Sequence, residues 1–464
     1  MESNTPIHDN SLGRRFYFSV WRWHFYAGLF VTPFLMVLAL TGMLMMYLAV
    51  FDGRDGEKIT VAPMGEIQSY SQQADAAMKA FPDGKLVEMI SPLTADSASV
   101  FRISVGDIQN MVAVDPYRAE VLETWVRRDG WYDFASNIHG TLLIGDLGDR
   151  LIEIAAGFAI VLVITGLYLW WPRNGKGFRQ MLVPDIFAKG RLWWKSLHQT
   201  IGFYCSVLLV AFLLSGLSWS GIWGEKFTQA WSTFPAEKWD NVPLSDDTHA
   251  SMNHGAIKDV PWGLEQTLMP ESGSGAGVEG LPEGTPINVD SIAMLGKALV
   301  EDGRYHVNFP KNDKGVWTIS QDSMSNDSND PMSDQTVHID QYTGKIVAQV
   351  GFADYSIPAQ AMAVGIAFHE GDMGLWNLLL NTVFCLSIIF LSVSGVVMWW
   401  IRRPEKSGRL GAPPMVDVAL GKGAVVLTLL VSLLFPLAGL TLLAVLALDV
   451  LIIQRIKPLV RILS

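Results

Sequence analysis

Two cysteines in 464 residues leave little to staple. Cys205 and Cys385 both sit inside apolar runs, so no disulfide is expected in the polar segments, and both read as buried thiols. Charge is scarce too. Only 17% of residues are charged, below the average for a soluble domain, while 50% are hydrophobic. The sequence carries no glycine-rich dinucleotide fingerprint, no phosphate loop and no nucleophile elbow. Nothing in it takes NAD, flavin or another nucleotide by a recognisable motif, and no nucleic-acid partner is expected. No small-residue cleavage site follows the first apolar run, so that run reads as an uncleaved anchor.

What is present is a set of long apolar runs separated by polar segments of unequal charge. Residues 51–150 and 224–376 hold 38 of the 45 acidic side chains, whereas the N-terminal tail, the linkers at 172–197 and 402–422 and the C-terminal tail hold 17 of the 34 basic ones. Short basic loops stay cytoplasmic, which places the N-terminus inside and both acidic segments outside a bacterial-type inner membrane. The expected order is a cytoplasmic tail (1–23), a first transmembrane helix (24–50), a first extracytoplasmic domain (51–135), and an edge segment leading into a second transmembrane helix (136–171). A basic cytoplasmic linker (172–195), a third helix (196–223) and a second extracytoplasmic domain with an insertion (224–365) follow. The chain then runs through an edge segment and fourth helix (366–401), a second linker (402–422), a transmembrane hairpin (423–454) and a cytoplasmic tail (455–464). The hairpin makes six crossings rather than five, because a single crossing would leave Arg455, Lys457 and Arg461 outside.

Each polar segment predicts one helix on a small antiparallel sheet. In the first, the helix covers Glu66–Ala80 and the strands Leu86–Ile90, Ser99–Ser104 and Met111–Val114. The second repeats the plan, with a helix over Asp290–Glu301 and strands near Tyr305–Phe309, Gly315–Ser320 and Thr336–Asp340. Asp115 and Asp340 stand at matching places, each six residues before the outgoing apolar residue. The Gly/Pro-rich insertion at 234–286 is expected to be mostly loop, and Asp322–Asp334 a long mobile hairpin tip.

The repeat extends into the membrane. His24 and His198 each precede glycines four and eighteen residues later, ending in Thr41-Gly42 and Ser215-Gly216. His139 and His369 lead into helices that end Thr165-Gly166…Trp170-Trp171 and Ser394-Gly395…Trp399-Trp400. Eighteen residues is five whole turns, so histidine and far glycine share one helix face. A parallel duplication implies a pseudo-two-fold axis along the membrane normal, pairing His24 with His198 at the inner edge and His139 with His369 at the outer. Two opposed imidazoles supply both axial positions of a haem, with glycines leaving room for the ring. The absence of Cys-x-x-Cys-His excludes covalent attachment, so two b-type haems are expected, the inner accepting electrons and the outer delivering them. A lone interfacial histidine is ordinarily an amphipathic edge residue; four at matching positions weaken that reading. The Trp-Trp pairs read as interface belt. His249, Met252 and His254 make a short potential metal-binding run, His306 and His338 read as packing or surface residues, and Arg127 and Arg128 as guides for an anionic acceptor.

Trp21-Arg22-Trp23-His24 with Gly28, the Val114-Asp115-Pro116-Tyr117 turn and Trp170-Trp171-Pro172-Arg173 resemble the PepSY-associated transmembrane family over roughly residues 14–405. That family includes iron-regulated inner-membrane proteins and is similar to periplasmic ferric-siderophore reductases carrying b-type haem. The resemblance implies an α-helical membrane protein with duplicated transmembrane helix pairs around a pseudo-two-fold axis, a C-terminal helical hairpin and two small α+β, PepSY-like extracytoplasmic domains. It carries the haem-iron ligands onto His24, His139, His198 and His369. The expected activity is electron transfer across the membrane to a periplasmic ferric chelate or another acceptor, from quinol or a cytoplasmic reductase. Some relatives carry a fused flavin-reductase domain; none is seen in this sequence, which leaves the donor open. The rival expectation is a non-redox PepSY scaffold or peptidase regulator.

Overall fold

An apolar run long enough to cross a ~30 Å hydrocarbon layer satisfies its backbone groups only as a helix, and among the described residues four helices are long and apolar enough to do so. The computed structural model describes residues 12–172, 179–228, 242–253, 260–300, 302–322, 325–403, 409–414, 429–456, 458 and 463. Helix α1 (Leu12–Phe51) begins well before the expected start and carries Pro33 inside it. After α2 (Tyr70–Ala80) come strands β1 (Lys85–Ile90), β2 (Ser99–Val105), β3 (Ile108–Asp115) and β4 (Glu120–Val126). Helices α3 (Trp131–Thr141), α4 (Asp146–Trp170), the single turn α5 (Arg179–Leu182) and α6 (Arg191–Leu217) follow. Strands β5 (Leu244–Thr248) and β6 (Leu268–Pro270), helix α7 (Val289–Leu299) and strands β7 (His306–Asn308), β8 (Val316–Gln321), β9 (Gln335–Asp340) and β10 (Ile346–Gly351) come next. Helices α8 (Ile357–Glu370), α9 (Leu375–Arg402) and α10 (Pro436–Leu451) complete the described chain. The four long apolar helices are α1, α4, α6 and α9. Of the hairpin expected over 423–454, residues 423–428 lie outside the described residues.

The chain divides into a helical unit (1–43, 137–226 and 382–464) and a sheet unit (44–136 and 227–381). In the helical unit Val31 of α1, Ala156, Ala159 and Ile160 of α4, Leu213 and Leu217 of α6, and Phe435 and Ala438 form one buried cluster. Small residues let these backbones approach, as in other membrane bundles. A Cβ at Gly157 would stand 2.5 Å from the Ala438 Cβ, so that contact admits only glycine.

The sheet unit departs from the expected pair of separate domains. All eight strands β1–β4 and β7–β10 join one sheet, ordered β10-β9-β8-β7-β1-β2-β3-β4. The two halves meet where β1 pairs antiparallel with β7, Met89 opposite Val307 and Ile90 opposite His306. A single core spans both, from Ala74, Ala77, Phe101 and Val112 to Ile292, Val307, Ile319 and Ile339. Each half supplies one helix opened by a capping box, Ser69 with Gln72 and Asn288 with Ser291. The helices meet where Asp290 accepts from the Ser71 N–H (3.1 Å) and hydroxyl.

The matched aspartates are turn builders. Asp115 Oδ1 accepts from the N–H groups of Tyr117 (2.8 Å) and Arg118 (3.3 Å), and Asp340 Oδ1 from those of Tyr342 (2.8 Å) and Thr343 (2.9 Å). Four residues on, the chain turns left-handed at Ala119 (φ 52°) in one half and at Gly344 (φ 67°) in the other.

Where it is described the insertion is mostly loop, as expected, with the short strands β5 and β6 and with Trp262 and Leu264 buried. One loop expectation is corrected. The expected mobile tip is tied down where it is described. Asp322 and Asp327 are buried, and Asp327 accepts from Arg304 Nε at 2.9 Å. A carboxylate opposite a buried arginine is costly to release, which fixes the loop.

Candidate functional site

Among the described residues of the helical unit, three imidazoles are each held by a hydroxyl from a different helix. His24 on α1 places Nδ1 2.9 Å from Thr165 Oγ1 of α4. His139 on α3 places Nδ1 2.9 Å from Thr41 Oγ1 of α1, and His198 on α6 places Nδ1 2.7 Å from Ser394 Oγ of α9. Thr165 already donates to the Val161 carbonyl (2.7 Å), Thr41 to Val37 (2.8 Å) and Ser394 to Leu391 (3.0 Å). A hydroxyl has one proton. Each therefore accepts from an Nδ1–H, which leaves the lone pair of each ring on Nε2. That is the tautomer of a metal-ligating histidine whose second nitrogen is anchored.

The glycine after each hydroxyl packs on the same ring. A Cβ at Gly166 would lie 3.2 Å from His24 Cε1, one at Gly42 3.2 Å from His139 Cε1, and one at Gly395 3.8 Å from His198 Cε1. Each of these glycines packs against a histidine carried by another helix. His24 and His198 lie within electrostatic range of one another. His139 belongs to the helical unit and His369 to the sheet unit. His369 is half-buried in the last turn of α8, which Gly371 closes in a left-handed C-cap (φ 88°). Asn381 donates to the carbonyls of Phe368 (2.6 Å) and His369 (3.3 Å), fixing that turn. The first tryptophan pair splits: Trp170 is buried and stacked on Phe203 at 4.0 Å, while Trp171 is exposed.

In the sheet unit the expected guides are spent. Arg127 and Arg128 both pair with Asp55, at 3.6 and 3.8 Å, and Arg127 is buried. Paired inside the fold, they are counter-ions rather than an open landing site for an anion. His306, expected at the surface or in plain packing, is buried between Glu88 and Asp327 at 3.0 Å each. Although burial opposes its charge, the two carboxylates hold His306 up at about 10. Against burial, Arg102 and His306 hold Glu88 at about 2.

Of the expected metal-binding run, His254 lies outside the described residues. His249 turns inward instead, and its Nε2 stands 3.0 Å from Nε2 of His338 on β9. Among the described residues no group of three or more histidine, cysteine or carboxylate side chains is arranged to hold a metal ion.

No protein of curated function matches the chain. The family described as PepSY-associated TM region matches residues 21–402, a span that begins just before His24 and ends at the last residue of α9; the chain is a membrane protein of that family.

Proposed function

We propose that this protein is a haem-b electron-transfer protein of the inner membrane that reduces a ferric chelate on the periplasmic side with electrons from quinol or a cytoplasmic reductase. The observation that carries this reading is the shared state of His24, His139 and His198: Nδ1–H spent on a hydroxyl that cannot donate back, Nε2 left as a lone pair. Three surface imidazoles would have no reason to share that arrangement. The residues fit haem iron by donor type, since neutral imidazole nitrogens are ordinary axial ligands.

His24 and His198 are assigned as one ligand pair, with His139 and His369 as the remaining ligands. Bound haem supplies reversible one-electron chemistry. The chain's own part is to hold the rings. Thr165, Thr41 and Ser394 fix tautomer and orientation, and hydrogen bonding at Nδ1 raises the basicity of Nε2. The segregation of acidic and basic segments orients the chain with its N-terminus in the cytoplasm and the sheet unit in the periplasm.

The test is spectroscopic. Protein purified from haem-sufficient cells should be red, with a reducible b-type spectrum. His139→Leu should lose one haem per chain and the reduction of ferric chelates, while the remaining haem still takes electrons from the donor. Colourless wild-type protein would sink this reading in favour of a non-redox scaffold.

A further inference from the structure

The second histidine arrangement lies in the sheet unit and joins residues from distant parts of the sequence. His249 sits in the single 3₁₀ turn after β5, and His338 in the middle of β9; both are 0% exposed. Their ring centroids are 5.0 Å apart and their Nε2 atoms 3.0 Å apart, so the two rings face nearly head to head.

The far nitrogens are anchored. His249 Nδ1 lies 2.8 Å from the Thr267 carbonyl and 2.9 Å from Thr267 Oγ1, whose proton goes to the Leu264 carbonyl at 2.6 Å. Neither oxygen has a proton to offer, so Nδ1 is the donor and His249 Nε2 carries a lone pair. The short contact then requires His338 to donate from Nε2, and His338 Nδ1 to accept from the Thr318 hydroxyl at 2.9 Å. One proton holds the two rings together. Burial keeps both neutral: it pushes His249 down to about 4 and, with His249 beside it, His338 well below its ordinary value.

We propose that a single Cu(I) ion takes the place of that proton, bound linearly between His249 Nε2 and His338 Nε2. The exchange balances. The proton on His338 moves from Nε2 to Nδ1, the Thr318 hydroxyl turns from donor to acceptor, and no net proton is released. Two metal–nitrogen bonds of about 2 Å need the nitrogens roughly 4 Å apart, so the rings part by about 1 Å. The donor set selects the ion. Zn(II) takes four ligands, and no third histidine, cysteine or carboxylate joins the pair among the described residues. A monovalent ion also brings less charge into a buried site. Thr318, the partner of His338 Nδ1, lines a cavity of about 290 Å³ that Met252 and Met269 also line, and thioethers suit Cu(I).

The experiment uses the full chain in detergent, fully reduced and anaerobic, so that no electron transfer mixes into the binding. Titrated against a chromogenic Cu(I) chelator, the wild type should withdraw one equivalent, and Zn(II) offered in its place should not be held. X-ray absorption should show two-coordinate nitrogen ligation. Thr318→Val keeps the side-chain shape but removes the partner of Nδ1, and should weaken binding roughly 10–100-fold. His338→Leu should abolish it. The proposal is overturned if the wild type leaves all Cu(I) with the chelator, if Zn(II) is held instead, or if the bound ion shows a sulfur-only shell. Retention of the equivalent by His338→Leu would overturn it as well.

Discussion

A threonine hydroxyl has one proton, and at Thr41 and Thr165 the helix backbone takes it. What remains is an acceptor aimed at an imidazole, so replacing Thr165 with Val should leave α4 intact and free the Nδ1–H of His24. The expected result is haem held roughly 10–100-fold less tightly at that one ligand pair, with its reduction potential moved and the other haem unchanged. Haem transfer to an apo-globin and a potentiometric titration read both; identical values for variant and wild type would remove the assigned role of Thr165. Gly166→Ala tests the same contact sterically, because the new Cβ would press on His24 Cε1 from 3.2 Å. The Ser/Thr-Gly repeats and the four histidines were all legible in the sequence. Their pairing was not. Spacing along one helix reports a shared face, whereas the partner of each imidazole is set by which helix packs beside it. His249 shows the same limit: its neighbours in sequence suggested a local metal run, but its partner is a strand residue 89 positions away.

At the level of elements the decisive feature is the seam between β1 and β7. Several strand positions followed from alternation and β-branched runs to within a residue or two, as at Ser99–Val105 and Val316–Gln321, whereas β3 starts three residues before the expected Met111. That the two sheets are one was not visible, because edge pairing between distant strands leaves no local pattern. The seam carries a buried ion cluster in which His306 of β7 bridges Glu88 of β1 and Asp327. The folded pKa of His306, about 10, lies above its ordinary 6.5, so its stabilisation is complete below 6.5 and is lost as pH rises through about 10. Glu88, held at about 2, contributes fully above its ordinary 4.5 and loses that contribution as pH falls towards 2. Hydrogen exchange of β1 and β7 amides, corrected for its intrinsic pH dependence, should show protection falling together in both strands above neutral pH. His306→Gln should flatten that slope and cost about 3–5 kcal/mol, because it leaves buried carboxylates without their partner. Loss of protection in one half alone would show that the seam is not cooperative.

For the molecule as a whole, the proposed orientation makes a labelling prediction with little background. Cys205 and Cys385 are both buried, so a cysteine introduced at an exposed site is the one reagents reach. Glu66→Cys should react with an impermeant maleimide in intact spheroplasts, and Lys189→Cys only after permeabilisation; both positions are exposed. The reverse pattern would invert the topology. The continuous sheet also has a consequence in time. Its first half ends at Val126 and its second begins at His306, with the membrane-length helices α4 and α6 made in between. At roughly 5–20 residues per second, ribosomes need on the order of 10 to 40 seconds to cover that gap. Through this interval β1 offers a bare edge and β1–β3 expose the core residues Met89, Phe101 and Val112. In the proposed orientation the nascent chain is therefore at its most aggregation-prone while half-translocated, and a holdase on the outer side would act then rather than after release.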